Sequence, residues 1–174
     1  MKITLRNTYG FTFFEVIVVL VILSIVGAII LGRGGGRDTD IVMQTQILKT
    51  HIRHTQSMAM GSQDSNDISG IRFDTNNYWV FKGFDPDTNI VKLFSDEQYA
   101  TADGKLIWSK MKIAIASPAP PFTVFFDTRG IPYSTYDATT KTPLTNDFPI
   151  NLKPYHAASP TKNVTITEHT GFIQ

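Results

Sequence analysis

From Phe11 to Leu31 every residue is apolar, small or hydroxylated except Glu15. At ~1.5 Å of rise per helical residue, that run is about as long as the ~30 Å hydrocarbon core of a bilayer is thick. The stretch therefore predicts a membrane-spanning helix, 11–31, behind a short polar leader, 1–10. A carboxylate five residues into such a helix is expensive and marks a functional site. Lys2 and Arg6 precede the run and favour a cytoplasmic N-terminus. Arg33 and Arg37 follow it and blur that charge rule. A secretory signal peptide would end in small residues of an A-x-A pattern. The residues after Leu31, Gly32 to Arg37, have no such pattern, and a plain anchor gives no reason for Glu15.

Gly10–Phe11–Thr12–Phe13–Phe14–Glu15 resembles the class III signal of type IV prepilins and pseudopilins, which reads Gly, then Phe-Thr-Leu-Ile-Glu, then an apolar helix. Phe13 and Phe14 depart from the usual Leu and Ile but stay apolar. The resemblance implies that an inner-membrane prepilin peptidase cuts between Gly10 and Phe11 and methylates the new amine of Phe11. It also implies that Glu15, fifth in the mature chain, serves assembly. When subunits stack, its carboxylate would meet the N-terminal amine of a neighbour. It decides the orientation as N-terminus cytoplasmic and C-terminal domain periplasmic.

A chain of 174 residues leaves room for one domain after the apolar run. The formal charge is +1; loss of Lys2 and Arg6 with the leader leaves 14 basic against 15 acidic side chains. Composition therefore does not point to nucleic acid. The absence of cysteine removes thiol nucleophiles, thiolate zinc sites and redox chemistry. A domain of this length buries a core without disulfides.

Within the apolar run, Ser24, Gly27 and Ala28 are small; they would let neighbouring helices approach, or they simply face lipid. Gly32–Gly36 holds four glycines in five positions, each costing roughly 1 kcal/mol in a helix. A flexible Gly-rich joint is expected at 32–37. Asp38–Thr39–Asp40 then looks like a helix start. Ile41, Leu48, Ile52 and Ala59, with Thr45 and Thr55, form a stripe at helical spacing. The helix is expected over about 38–60, with Gly61 closing it.

Beyond Gly61 the segments are short and β-like. Ile71–Asp74 and Tyr78–Phe84 flank Thr75–Asn77 as a hairpin. Further strands are expected at Ile90–Phe94, Leu106–Ile115, Phe122–Asp127, Ile131–Tyr136, Phe148–Leu152 and Val164–Thr167. The alternation in Leu106–Ile115 slips by one, which suggests a bulge or a bend. Asp137–Asp147 is expected to be an exposed loop. The expected fold is α+β: a long N-terminal helix, its first half membrane-spanning, packed on a C-terminal antiparallel sheet of about six to eight strands over about 70–174. The expected periplasmic domain is 38–174.

Ile52–Met60, Gly70–Phe73 with Tyr78–Phe81, Phe125–Pro132, and Asn163–Thr167 before Gly171 resemble the H-type minor pseudopilins, the GspH/FimT-like family. That resemblance implies a pilin-like fold and a structural role in the pseudopilus of a type II secretion system. The implied partners are other pseudopilins or pilins, the prepilin peptidase, the inner-membrane assembly platform and the inner membrane itself. A minor type IV pilin has the same architecture. Some family members bind DNA through arginines after the closing glycine; here Gly171 is followed by Phe172, Ile173 and Gln174, which speaks against nucleic acid.

No catalytic constellation is visible, so the expectation is a non-enzyme without cofactor or metal. His51 and His54 lack a third ligand and read as a solvated helix face. Asp85–Asn89 has oxygen ligands at alternate positions, but Ile90 stands where a calcium loop needs glycine, so it reads as an Asx/Pro turn. Tyr78, Trp79, Phe81, Phe84, Phe94, Trp108, Phe122, Phe125 and Phe126 read as sheet core rather than as a stacking surface for bases.

Overall fold

A computed structural model of the full chain describes residues 12–32, 36–62, 68–93, 98–157 and 161–174. The chain divides into two compact units, Met1–Gly36 and Arg37–Gln174. The first contains helix α1, Phe13–Gly32. Its described side chains, to Ala28, are exposed nearly all round. Among the described residues no helix is long and apolar enough to cross a membrane. The expected membrane-spanning character is therefore not shown.

The second helix, α2, runs Gly36–Met60. It begins two residues before the expected start at Asp38, a margin within which helix ends ordinarily vary. Of the expected joint, Gly32 ends α1 and Gly36 opens α2, while 33–35 lie outside the described residues. The expected stripe is the buried face: Ile41, Leu48, Ile52, Ala59, Thr45 and Thr55 are all buried, joined by Gln44 and His51. The two threonines are admitted because each hydroxyl bonds a carbonyl one turn back, Thr45 to Ile41 O at 2.6 Å and Thr55 to His51 O at 2.8 Å.

The α+β architecture with an antiparallel C-terminal sheet is present, but the strands form two sheets rather than one. They are β1 (Ser69–Phe73), β2 (Asn77–Lys82), β3 (Ile90–Val91), β4 (Leu106–Ile107), β5 (Ile113–Ser117), β6 (Phe122–Phe126), β7 (Pro132–Tyr136), β8 (Lys141–Pro143), β9 (Phe148–Pro154) and β10 (Lys162–Ile166). The larger sheet has the order β3-β2-β1-β6-β7-β8, with β4 also on β2; the smaller is β10-β9-β5. The hairpin expected around Thr75–Asn77 is β1–β2, in register from Ser69↔Lys82 to Phe73↔Tyr78.

Three strand expectations need correction. Ile90–Phe94 shortens to β3, Ile90–Val91, with residues 92–93 outside any strand and Phe94 outside the described residues. Leu106–Ile115 is not one bent strand. β4 gives way to a single helical turn, α3 (Trp108–Met111), and Lys112 at φ 58° redirects the chain into β5 of the other sheet. The slipped alternation marks this change of sheet: Leu106, Trp108, Met111 and Ile113 are all buried, though they do not alternate. Asp137–Asp147 is not all loop either. It contains β8, whose residues are exposed and which pairs with β7 at the sheet edge. An exposed edge strand needs no apolar alternation, so its residues carry no pattern to read.

The main core lies between α2 and the sheets. Ile41, Leu48 and Ile52 pack with Ile71, Phe73, Val80 and Phe126 of the larger sheet and with Ile150, Leu152 and Val164 of the smaller. A second cluster, Ile68, Trp79, Phe81, Phe125, Tyr133 and Tyr136, covers the opposite face of the larger sheet. Lysine ammonium groups roof it in part, Lys105 at 4.0 Å from the Trp79 ring centre and Lys141 at 4.7 Å from that of Tyr136. Most of the aromatics expected in the core are there. Phe84 is 39% exposed, stacked on Tyr136, and Phe94 lies outside the described residues.

Candidate processing and assembly site

Gly10 and Phe11, the expected cleavage pair, lie outside the described residues. Thr12 caps α1. The N–H of Glu15 donates to Thr12 O at 3.0 Å and Thr12 Oγ1 at 3.3 Å. Thr12-Phe13-Phe14-Glu15 thus has the spacing of a capping box, threonine at the cap and glutamate three residues on. This role is legible in the T-x-x-E pattern. The reciprocal half of the box is not made. Glu15 is exposed, and among the described residues its carboxylate has no partner. It sits in the first turn of α1, at the positive end of the helix dipole.

Around it the surface is apolar: Phe13 is 82% exposed, Phe14 74%, and Leu20 and Leu23 lie on the following turns at about 60%. Such a helix is one that buries itself in lipid or against other helices, because a soluble domain does not leave a contiguous apolar surface of this extent in water. Ser24 bonds Leu20 O at 2.7 Å, which satisfies its hydroxyl within the helix.

In the second unit, the segments singled out in the sequence meet at one end of α2. Gln56 Nε2 donates to Gly130 O at 3.0 Å and to Thr170 O at 2.9 Å. Arg53 Nη2 donates to Ile173 O at 2.8 Å. One helix face thereby ties the β6–β7 turn to the C-terminal residues. Gly130 (φ +79°) and Gly171 (φ +62°) make this possible; a Cβ on Gly171 would lie 2.5 Å from Gly130 O. Polar side chains with long-range partners are invisible to a hydrophobicity pattern, so this clamp was not read from the sequence.

The β6–β7 turn is organised by buried Asp127. Its Oδ1 accepts the N–H groups of Arg129 and Ile131, each at 2.9 Å; its Oδ2 accepts Arg129 Nε at 3.1 Å, Arg129 Nη2 at 3.0 Å and Tyr133 OH at 3.3 Å. The bonded carboxylate raises the pKa of Arg129. Burial first, and the nearby Asp127 charge second, raise that of Tyr133. Every group in this cluster bonds another member of it, so it serves structure.

The remaining candidates separate. His51 is buried, its Nδ1 2.9 Å from Tyr78 Oη, whereas His54 is exposed. The reading of both as one solvated face is corrected. His51 lies three residues after Leu48 and four before Thr55, and so falls in the buried stripe. Asp85–Asn89 forms the Asx turn expected of it, with Asp87 N–H on Asp85 Oδ1 at 3.0 Å and Asn89 at φ 52°. Among the described residues no group of three or more metal-ligating side chains converges.

One family model matches the chain, the prokaryotic N-terminal methylation motif, at residues 5–31. That span includes Gly10, Phe11 and Glu15. The chain therefore carries a type IV pilin-like prepilin signal. No curated protein and no solved structure matches it.

Proposed function

We propose that this chain is a minor pseudopilin of the H type, a structural subunit of the periplasmic pseudopilus of a type II secretion system. The observation that carries the reading is the conjunction at the N-terminus. A methylation motif over residues 5–31 coincides with a helix whose apolar side chains are exposed all round and whose one carboxylate, Glu15, is unpartnered among the described residues. In this reading the prepilin peptidase cuts between Gly10 and Phe11 and methylates Phe11. The run Phe11–Leu31 anchors the protein in the inner membrane with its N-terminus cytoplasmic and its domain periplasmic. The assembly platform then moves it into the filament. No catalytic step, cofactor or metal is required of the chain itself.

Glu15 would act through its neighbour's amine. Two opposite charges attract far more strongly in a low dielectric than in water, although desolvation offsets much of the gain. The pairing neutralises the Glu15 carboxylate of one subunit with the N-terminal ammonium of the next, so that neither charge enters the filament core alone. Glu15→Ala is expected to leave cleavage intact and to abolish or weaken co-purification with other filament subunits. Mass spectrometry of the mature protein tests the processing step. The expected mass is that of residues 11–174 plus one methyl group, and a full-length mass would overturn it.

The H-type assignment draws on the four domain segments named above, and a minor type IV pilin is the second reading. A deletion complemented by the wild-type chain separates them. Loss of exoprotein release with normal piliation supports the secretion pseudopilus. Normal release with lost pili moves the protein to the type IV pilus. A salt-dependent shift of DNA by the purified protein would favour a DNA-uptake pilin instead.

A further inference from the structure

The β6–β7 hairpin completes its ladder only beside its turn: Phe126 pairs with Pro132 and Phe125 with Tyr133, and the pairing stops there. On the other side β6 pairs with β1 as far as Phe122↔Phe73. Asp127 N–H donates across the hairpin to Ile131 O. By the alternation of an antiparallel ladder, the N–H and C=O of Thr123 then point away from β1 and toward β7. The residue due opposite is Thr135. It is held on β8 instead, paired with Thr142 after a bulge between Tyr133 and Thr135. The two strands splay, and Thr123 and Thr135 line a cavity of ≈ 420 Å³.

The chemistry of this slit is asymmetric. Val124, Leu144 and Phe148 make its walls apolar, and Arg72 is the one charged residue that lines it. Arg72 and Thr123 are cross-strand partners, so their side chains share the sheet face opposite to that of Val124. Arg72 Nη1 donates to Thr123 Oγ1 at 2.9 Å. A guanidinium has five N–H donors, and among the described residues this bond is its only polar contact. Arg72 is half-buried, where a carboxylate would be held more firmly than at a fully hydrated arginine.

We propose that the slit binds an extended peptide segment of a second protein, one with an acidic side chain next to an apolar one. The segment's main chain pairs with the N–H and C=O that Thr123 turns toward the slit, beyond the last β6–β7 pair, as in strand addition to an open edge. Successive side chains of a strand point to opposite faces. An acidic residue that meets Arg72 therefore directs its neighbour toward Val124, Leu144 and Phe148. The volume suits a few residues of a strand, not a folded surface. The inference does not depend on which machine the protein serves.

The test uses the full ¹⁵N-labelled chain in detergent micelles. The probe is a capped five-residue peptide with a central glutamate between two valines. Expected are saturable shifts of the Thr123 and Thr135 amides. Affinity should fall about tenfold or more for the glutamine analogue of the peptide, and likewise for Arg72→Gln, with Arg72→Lys in between. The glutamine peptide leaves the protein untouched, so its loss of binding cannot come from misfolding. The proposal is overturned by the absence of saturable shifts or by equal binding of the two peptides. It is also overturned if sodium acetate alone gives the same shifts, which would mark a small-anion site.

Discussion

Asp127 shows how one side chain sets a local structure. It holds two backbone N–H groups as well as Arg129 and Tyr133. Arg129 is largely exposed, so water screens its ion pair and the pair adds little. Loss of the acceptor, by contrast, orphans groups in a buried turn at ~1–3 kcal/mol each. Asp127→Ala is expected to lower stability by roughly 2–4 kcal/mol and Arg129→Ala by much less, read from urea midpoints. Equal losses would show that the ion pair, not the turn, is what matters. Asp137 gives a pH dependence. The N–H groups of Thr139 and Thr140 and the Thr139 hydroxyl stabilise its carboxylate and lower its pKa. A depressed folded pKa means a contribution fully present above the unfolded value of ~3.9 and lost as pH falls through the folded one. The stability gap between wild type and Asp137→Ala should therefore be constant above about pH 5 and shrink below pH 4. A gap that is flat down to pH 2 would contradict this.

Among the elements, α2 was legible because its period survives in spite of threonines and a histidine within the stripe. Leu48, fully buried between the helix and the sheets, is expected to lose about 2–5 kcal/mol on substitution by alanine. Val42→Ala, on the exposed side at 44%, should cost only a few tenths. Chemical denaturation of both variants checks the assignment of faces. The segment 106–115 was misread because it has the composition of a strand throughout. Four residues of it wind into α3, where Trp108 Nε1 finds Asp74 O at 2.9 Å and Lys112 takes up a left-handed conformation. Neither the distant acceptor nor the change of sheet leaves a mark on local propensity. β8 was missed for the opposite reason, since its residues are polar and exposed and its pairing with β7 alone makes it a strand.

At the scale of the molecule, the two units have opposite relations to water. Arg37–Gln174 contains both hydrophobic clusters and is expected to fold alone. A purified fragment of those residues should unfold in one cooperative transition by circular dichroism, and a broad, non-cooperative loss of signal would show that it needs α1. The described side chains of α1, to Ala28, are apolar and exposed except at Glu15, Ser24 and the half-buried Gly27.

The N-terminal motif, the apolar helix and the stripe of α2 are written in the order of residues, because each is a pattern of neighbours or of fixed helical spacing. Tertiary structure alone decided the division into two sheets, the clamp of Gln56 and Arg53 on the C-terminal residues, the burial of His51 against Tyr78 and the open slit beside Thr123. Each of these joins residues far apart in the chain, and whether two such groups meet depends on where the intervening strands turn.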